Sequence, residues 1–420
     1  MGPYLVFTIT LLVLFGMDLY AYQSFKKVFS NRWIRILYWA ISISGYIYMI
    51  YTLTQFDRAN QPRKVVNGFV TILMIWYVPK FIVLAFLIGE DIWRGIVALL
   101  RYKTAPERRA LGEPILPGRR RFIHNIAIGL AAIPMVGVVH GIWKGKYNFR
   151  VIKKTIEFDD LPEAFDGFTI TQVSDIHCGS FDNYEKIKYG VDLIKAQETD
   201  LFLFTGDMVN IESKEIHDWK DLFGSIKAPY GQYCVLGNHD YATYRTWSED
   251  EDENERLAQA DVEKLVRIQE DEMGYRNLRN EAVRLEKDGQ HITLMGVENW
   301  GEGFHTEGKL EDAIKDVDED DFKILMSHDP THFDKKVKVH PKKVHLTLSG
   351  HTHGMQFGIE IPGVIKFSPI RLRYPKWAGL YQENDRFLYV NRGFGYLAFP
   401  GRVGIWPEIT VFELRRKSNT

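Results

Sequence analysis

Four long apolar stretches within the first 150 residues constrain this chain more than any other feature. They run approximately over 4–20, 33–56, 68–88 and 122–143. Each is about long enough to cross a hydrocarbon core of roughly 30 Å as a helix. They carry little amphipathic pattern and sit close together, so they are assigned as membrane spans rather than buried core helices. Asp18 closes the first stretch, and Tyr and Trp crowd the ends of the second, as interfacial side chains do. Lys80, just after Pro79, lies inside the third. A charge at that depth is a candidate functional group, but a stem snorkelling from a kinked helix is the reading favoured here.

Charge divides the chain at the same place. Residues 1–150 hold 19 Lys and Arg against 6 Asp and Glu, whereas 151–420 hold 34 against 48. A basic apolar front half and an acidic back half argue for a helical membrane module over 1–150 and a separate domain over 151–420, and exclude one uniform globule. Disorder is excluded as well, because 14% aromatic residues with 10 Trp supply a large core. Two cysteines, Cys178 and Cys234, exclude a disulfide framework and leave room for one bridge at most.

Loop charges give an orientation. Lys26, Lys27 and Arg32 follow the first span, and Arg94, Arg101, Lys103, Arg108, Arg109, Arg119, Arg120 and Arg121 follow the third. The other side collects Arg58, Arg63, Lys64, Lys144, Lys146, Arg150, Lys153 and Lys154. Eleven against eight, with most in one loop, puts that loop in the cytoplasm and both termini outside it. The segment Arg119-Arg120-Arg121-Phe122-Ile123, followed by small and apolar residues, resembles a twin-arginine export signal embedded in the chain. No small-x-small cleavage site follows, so the span would remain as an anchor. The expected location is the cell (inner) membrane, multi-pass, with the back half extracytoplasmic.

Beyond residue 150 five short strand-like runs each end on polar residues. The run 168–174 ends at Asp175-Ile176-His177, and 201–205 ends at Gly206-Asp207. The run 233–236 ends at Gly237-Asn238-His239-Asp240, 323–327 at His328-Asp329, and 345–349 at Gly350-His351-Thr352-His353. Carboxyl ends of strands are where α/β folds place their sites. Carboxylate, imidazole and amide oxygen together suit Mn²⁺, Fe²⁺, Zn²⁺ or Mg²⁺. Seven candidate ligands are too many for one tetrahedral ion, so two divalent metal ions are expected. A pair about 3.5–4 Å apart activates a bridging hydroxide and neutralises a phosphoryl oxygen, which makes phosphate ester hydrolysis the natural reaction.

At these residues the sequence resembles the calcineurin-like metallophosphoesterase superfamily, whose Asp-x-His, Gly-Asp-x-x-Asp, Gly-Asn-His-Asp/Glu, lone His and Gly-His-x-His blocks occur in order. The resemblance covers roughly 155–415 and implies two central sheets flanked by helices. It implies that Asp175, His177, Asp207 and His353 bind one metal and that Asp207, Asn238, His328 and His351 bind the other, with Asp207 bridging. His239 would stand at the leaving-group oxygen as general acid or transition-state stabiliser. One block departs from the pattern. Asn210 stands where many relatives have Asp, so it orients His239 by a hydrogen bond without supplying charge.

The tail motifs around Gly379-Leu380-Tyr381, 390–395 and 407–410 resemble the bacterial membrane-associated branch of that superfamily. Arg392 and Arg402 are candidate phosphate clamps. The acidic run 248–255 is expected to be a solvated loop and helix start. Segment 357–377 mixes Ile359, Ile361, Val364, Ile365, Phe367 and Ile370 with Lys366, Arg371, Arg373 and Lys376, so it either rests on anionic headgroups or is ordinary hairpin core. Phe394, Tyr396, Phe399 and Trp406 are candidate lining for an acyl or prenyl chain. The chain between 143 and 151, about 28 Å if fully extended, is too short to let the domain roam. The expected partners are the membrane and a phosphorylated small molecule or lipid; no nucleic acid is expected. The principal alternative is a UDP-2,3-diacylglucosamine-type pyrophosphatase with reversed topology. A second is a non-catalytic phosphate-binding scaffold, against which the intact ligand set argues.

Overall fold

The computed structural model describes residues 3–55, 63–104, 117–361 and 363–417. Arg58, Arg108 and Arg109, used above to orient the loops, lie outside the described residues. The chain divides into two compact units, one of 1–57 with 62–140 and one of 58–61 with 141–420.

The first unit is helical: α1 (Pro3–Val28), α2 (Arg32–Gln55), α3 (Arg63–Ile72), α4 (Val78–Thr104) and α5 (Pro117–Trp143), whose last three residues belong to the second unit. A π-turn over Leu73–Tyr77 joins α3 to α4, and Pro79 follows it inside the first turn of α4, where a missing N–H is tolerated. Among the described residues, Arg32–Thr52, Asn67–Leu100 and Phe122–Trp143 are long and apolar enough to cross a membrane. The Arg119-Arg120-Arg121 segment lies within the first turns of α5.

Two expectations for this unit are corrected. Asp18 does not close the first helix, which continues ten residues to Val28; it is fully buried. Lys80 does not snorkel, because its ammonium is paired with Asp18 and is itself buried. The carboxylate also accepts from Tyr38 at 3.1 Å, Ser42 at 3.0 Å, Tyr77 at 3.1 Å and Tyr46. Lys80 Nζ sits 4.1 Å and 4.4 Å from the Trp76 and Tyr77 ring centroids. The spacing of 62 residues hides such a pair from any local pattern.

The second unit contains β1 (Arg150–Phe158), β2 (Thr169–Val173), β3 (Leu201–Phe204), β4 (Gln232–Cys234), β5 (Arg276–Asn277), β6 (Glu281–Lys287) and β7 (Gln290–Gly296). It continues with β8 (Lys323–Met326), β9 (Leu346–Ser349), β10 (Ile359–Ile361), β11 (Ile365–Phe367), β12 (Gly379–Glu383), β13 (Arg386–Val390) and β14 (Glu408–Arg416). One six-stranded sheet runs β1-β14-β2-β3-β4-β5 and the other β12-β13-β9-β8-β7-β6. The pairs β2/β3, β3/β4, β7/β8, β8/β9 and β9/β13 are parallel. Every residue of β3, β8 and β9 is buried. That explains the continuous apolar run of β3, since a parallel strand covered on both faces has no solvent side to mark.

Ile170, Leu201, Leu203, Ile324, Met326, Leu346 and Leu348 form the core between the sheets. Helix α6 (Tyr184–Lys195) and helix α7 (Glu251–Arg267) contribute Val191 and Leu265 to the outer core of the first sheet. The acidic run starts α7 as expected: Asp250 caps it by accepting from Glu253 N at 2.9 Å, with Glu251, Asp252 and Glu253 in the first turn. Cys178 and Cys234 are both buried thiols, so no bridge joins them. Phe394, Tyr396 and Phe399 are buried as well and complete the core rather than line an entry. Phe394 packs on Phe149 and Phe223 at centroid distances of 4.5 Å and 5.7 Å.

Candidate metal centre

All five loops that follow β2, β3, β4, β8 and β9 converge at the carboxyl edges of the two sheets. The strands stop there because the next residues leave the β region. Asp175, His177, Asp207, His351 and His353 all have φ between 47° and 69°. Left-handed backbone at non-glycine residues costs on the order of 1–3 kcal/mol each and persists only where the surroundings enforce it.

Two groups of ligand atoms result, one of Asp175, His177 and His353 and one of Asp207, His328 and His351, each within 4.8 Å. Asp207 stands between them: its Oδ2 lies 3.5 Å from His177 Nε2 and 3.1 Å from His328 Nε2. His353 Nε2 lies 3.2 Å from Asp175 Oδ1 and 3.0 Å from His177 Nε2. Asn238 donates through Nδ2 to Tyr244 Oη at 2.7 Å, which turns its Oδ1 inward to 2.8 Å from His351 Nδ1.

The donor set fits divalent ions. His177 Nδ1 and His328 Nδ1 meet the Val209 and Thr205 carbonyls at 3.1 Å and 2.7 Å, so each presents Nε2 inward. His328 Nε2 is buried and makes no hydrogen bond. Burial holds His177 and His351 down, to about 3 and about 4, which keeps them neutral as ligands must be. Burial also pushes Asp175 up, to about 6, with the Asp207 charge adding to it. At His328 burial is outweighed by Asp207 and Asp175, which lift the imidazole to about 10. The carboxylates thus draw positive charge into the site.

His239 is half-buried beside this pair, its ring 5.0 Å from that of His177 and stacked at 4.2 Å on Tyr244. Its Nδ1 meets the main-chain oxygen of Asn210 at 2.7 Å. The expected hydrogen bond from residue 210 is present, but it comes from the backbone. The Asn210 side chain instead donates to Ser180 Oγ at 2.7 Å.

The two arginines are placed differently from expectation. Arg392 is held by Glu360 at 2.6 Å and 3.0 Å and by Glu408. Arg402 is fully buried and donates to the Gly395 and Gly393 carbonyls at 2.6 Å and 3.1 Å, with His353 Nδ1 at 3.4 Å. Neither has a guanidinium edge turned to a phosphate in solvent.

Several supporting residues escaped the sequence reading. Asp240 accepts from the Asp207, Met208, Val209 and Gly237 amides at 2.8–3.2 Å, stitching the β3 and β4 loops together. Its place at the end of Gly-Asn-His-Asp was the available signal. Tyr374, 2.8 Å from His351 Nε2, had none.

Known proteins agree with this architecture. Residues 3–146 match the model of a probable calcineurin-like phosphoesterase transmembrane domain, and 168–355 match the calcineurin-like phosphoesterase model. An uncharacterized metallophosphoesterase, YkuE of Bacillus subtilis (strain 168), is 30% identical over 71% of this chain and 97% of its own length. A transmembrane protein with metallophosphoesterase domain from Danio rerio is 27% identical over 68% of this chain and 61% of its own length. The UDP-2,3-diacylglucosamine pyrophosphatase LpxG of Chlamydia muridarum (strain MoPn / Nigg) is 28% identical over 64% of this chain and 91% of its own length. Motif order, converging strand ends and these matches lead to one conclusion: the chain belongs to the calcineurin-like phosphoesterase family and is a metal-dependent hydrolase with a transmembrane domain.

Proposed function

We propose that residues 1–150 anchor the chain by four spans and that the domain over 151–420 holds two divalent ions and hydrolyses a phosphate ester or anhydride of a lipid or other amphiphile. The observation that carries the reading is Asp207 Oδ2, within 3.5 Å of an imidazole nitrogen from each ligand group. Asp175, His177 and His353 would hold one ion, Asn238, His328 and His351 the other, and Asp207 both. Bound there, such a pair supplies an activated water and neutralises charge on the phosphoryl group.

The chain's own residues do the rest. Asp207 Oδ1 accepts the His239 amide at 2.8 Å, fixing the imidazole's backbone to the bridging carboxylate. With Nδ1–H donated to Asn210 O, Nε2 is the atom left to exchange a proton with the leaving-group oxygen. Asn210 serves through its carbonyl, and Arg402 fixes the Gly393 and Gly395 loop under His353.

Similarity to the Chlamydia pyrophosphatase favours a second reading in which the substrate is an acylated UDP-sugar anhydride. The experiment for lipid specificity compares kcat/KM of the full chain in nanodiscs for matched phosphate esters with increasing chain length. Each buried methylene is worth about 0.8 kcal/mol, so kcat/KM is expected to climb with length. Independence of length would overturn the lipid assignment.

A further inference from the structure

The hairpin β10–β11 is amphipathic the wrong way round for a soluble domain. Its cross-strand pairs Ile359–Phe367 and Ile361–Ile365 share one face, and Glu360–Lys366 lies between them on the other. The polar pair is held by the domain: Glu360 grips Arg392, and Lys366, itself exposed, donates to the Ala378 carbonyl with its ammonium over the Trp377 and Tyr381 rings. The four apolar side chains turn outward, each 42–52% exposed. At the tip Val364 is 79% exposed, and Leu372, just beyond β11, is 90% exposed. A contiguous exposed apolar face, with the exposed Arg371 next to Leu372, marks a docking surface.

The root of the hairpin indicates the occupant. Gly358 N donates to Val403 O at 2.9 Å, and Val403 N to Gln356 O at 2.7 Å. Within the same unit this segment holds residues 141 and 142: Arg402 N donates to Gly141 O at 3.2 Å, and Gly401 lies against Ile142 N. Residues 141–143 close a span, so the segment that carries the hairpin is also clamped to the point where the chain leaves the bilayer. Ser368 Oγ donates to Gly354 O at 2.8 Å, tying the foot of β11 to the loop of His353.

We propose that the β10–β11 hairpin and Leu372 insert into the interface of the chain's own bilayer and hold the metal centre at headgroup level. The exposed Arg371 then meets anionic headgroups while the apolar face loses its exposure to water. The docking rests on the hairpin's geometry; only its consequence for turnover rests on the lipid-phosphoesterase reading.

The test uses the full chain in nanodiscs of phosphatidylethanolamine and phosphatidylglycerol. Val364→Cys is labelled with an environment-sensitive fluorophore, the native thiols being buried. Val339→Cys, 67% exposed and near the amino end of β9, is the control. The label at 364 is expected to be quenched by nitroxide lipids and shielded from aqueous iodide, with the reverse at 339. Iodide access at 364 equal to that at 339, or shielding from both quenchers, overturns the proposal, the second pointing to a protein partner. In parallel, Ile361→Asp/Val364→Asp is expected to lower kcat/KM for a long-chain phosphate about tenfold while leaving a soluble aryl phosphate unchanged. Bilayer quenching with unchanged long-chain turnover would uphold the docking and overturn the lipid-substrate reading.

Discussion

At the scale of single residues the account turns on what each side chain is doing beside Asp207. His239→Gln is expected to lose about 10²–10⁴-fold in kcat with metal content retained, as for removal of an acid-base group. Asp207→Asn should lose activity by comparable orders of magnitude together with bound metal, read by elemental analysis of the same sample. Asn210→Ala should change kcat by less than about tenfold, because the contact to His239 is a backbone carbonyl; a loss as large as that of His239→Gln would show that the side chain matters after all. A residue outside the site sets a pH dependence. Burial holds His332 down, to about 3, well below an ordinary imidazole. The unfolded chain therefore takes up this proton first, so the stabilisation is complete above about pH 6.5 and is lost as pH falls toward the folded value, by up to ~1.4 kcal/mol per unit. Thermal unfolding of His332→Gln should show a flatter decline between neutral and acid pH than the native chain; an identical slope would contradict the assignment. The candidate ligand residues were legible because each follows a strand-like run. How Arg392 and Arg402 are held was not legible, because an arginine near a strand end looks the same in sequence whether its partners are carbonyls, carboxylates or a substrate.

Strand ends and helix partners carry the next level. The glycines preceding the ligands are there for space: a Cβ on Gly237 would stand 2.2 Å from Asp207 Oδ1, and one on Gly350 1.8 Å from Ser174 Oγ and 2.3 Å from Asp175 Oδ2. Gly237→Ala and Gly350→Ala are each expected to weaken metal binding at least about tenfold while the fold survives, since the displaced atoms belong to the loops and not to the sheet core. Metal titration followed by circular dichroism checks both halves of that statement. In the membrane module, removing one partner of Asp18–Lys80 leaves an unmatched buried charge, a loss of about 3–5 kcal/mol. Asp18→Asn and Lys80→Met should each lower the unfolding temperature in detergent, and Asp18→Leu/Lys80→Met should recover most of it. Single variants as stable as the native chain would mean that Lys80 reaches water instead. The five site strands were readable from apolar runs with polar ends. The inverted hairpin was not, because Ile359, Ile361, Ile365 and Phe367 alternate in the same way whether they face a core or a bilayer.

For the whole molecule, the family matches cover 3–146 and 168–355, and the charge of the sequence changes sign near residue 150. Which side of the membrane holds the domain decides which substrates it meets. A carboxyl-terminal alkaline phosphatase fusion is expected to be active and a cytoplasm-restricted fluorescent fusion dark; the opposite pair of signals would favour the cytoplasmic pyrophosphatase reading. Every statement about chemistry depends on the paired ligand groups around Asp207, and these are tested most directly by loading the purified full chain with Mn²⁺ or Zn²⁺ and counting ions bound per chain. Two equivalents are expected; one or none at saturation would rule out the paired centre.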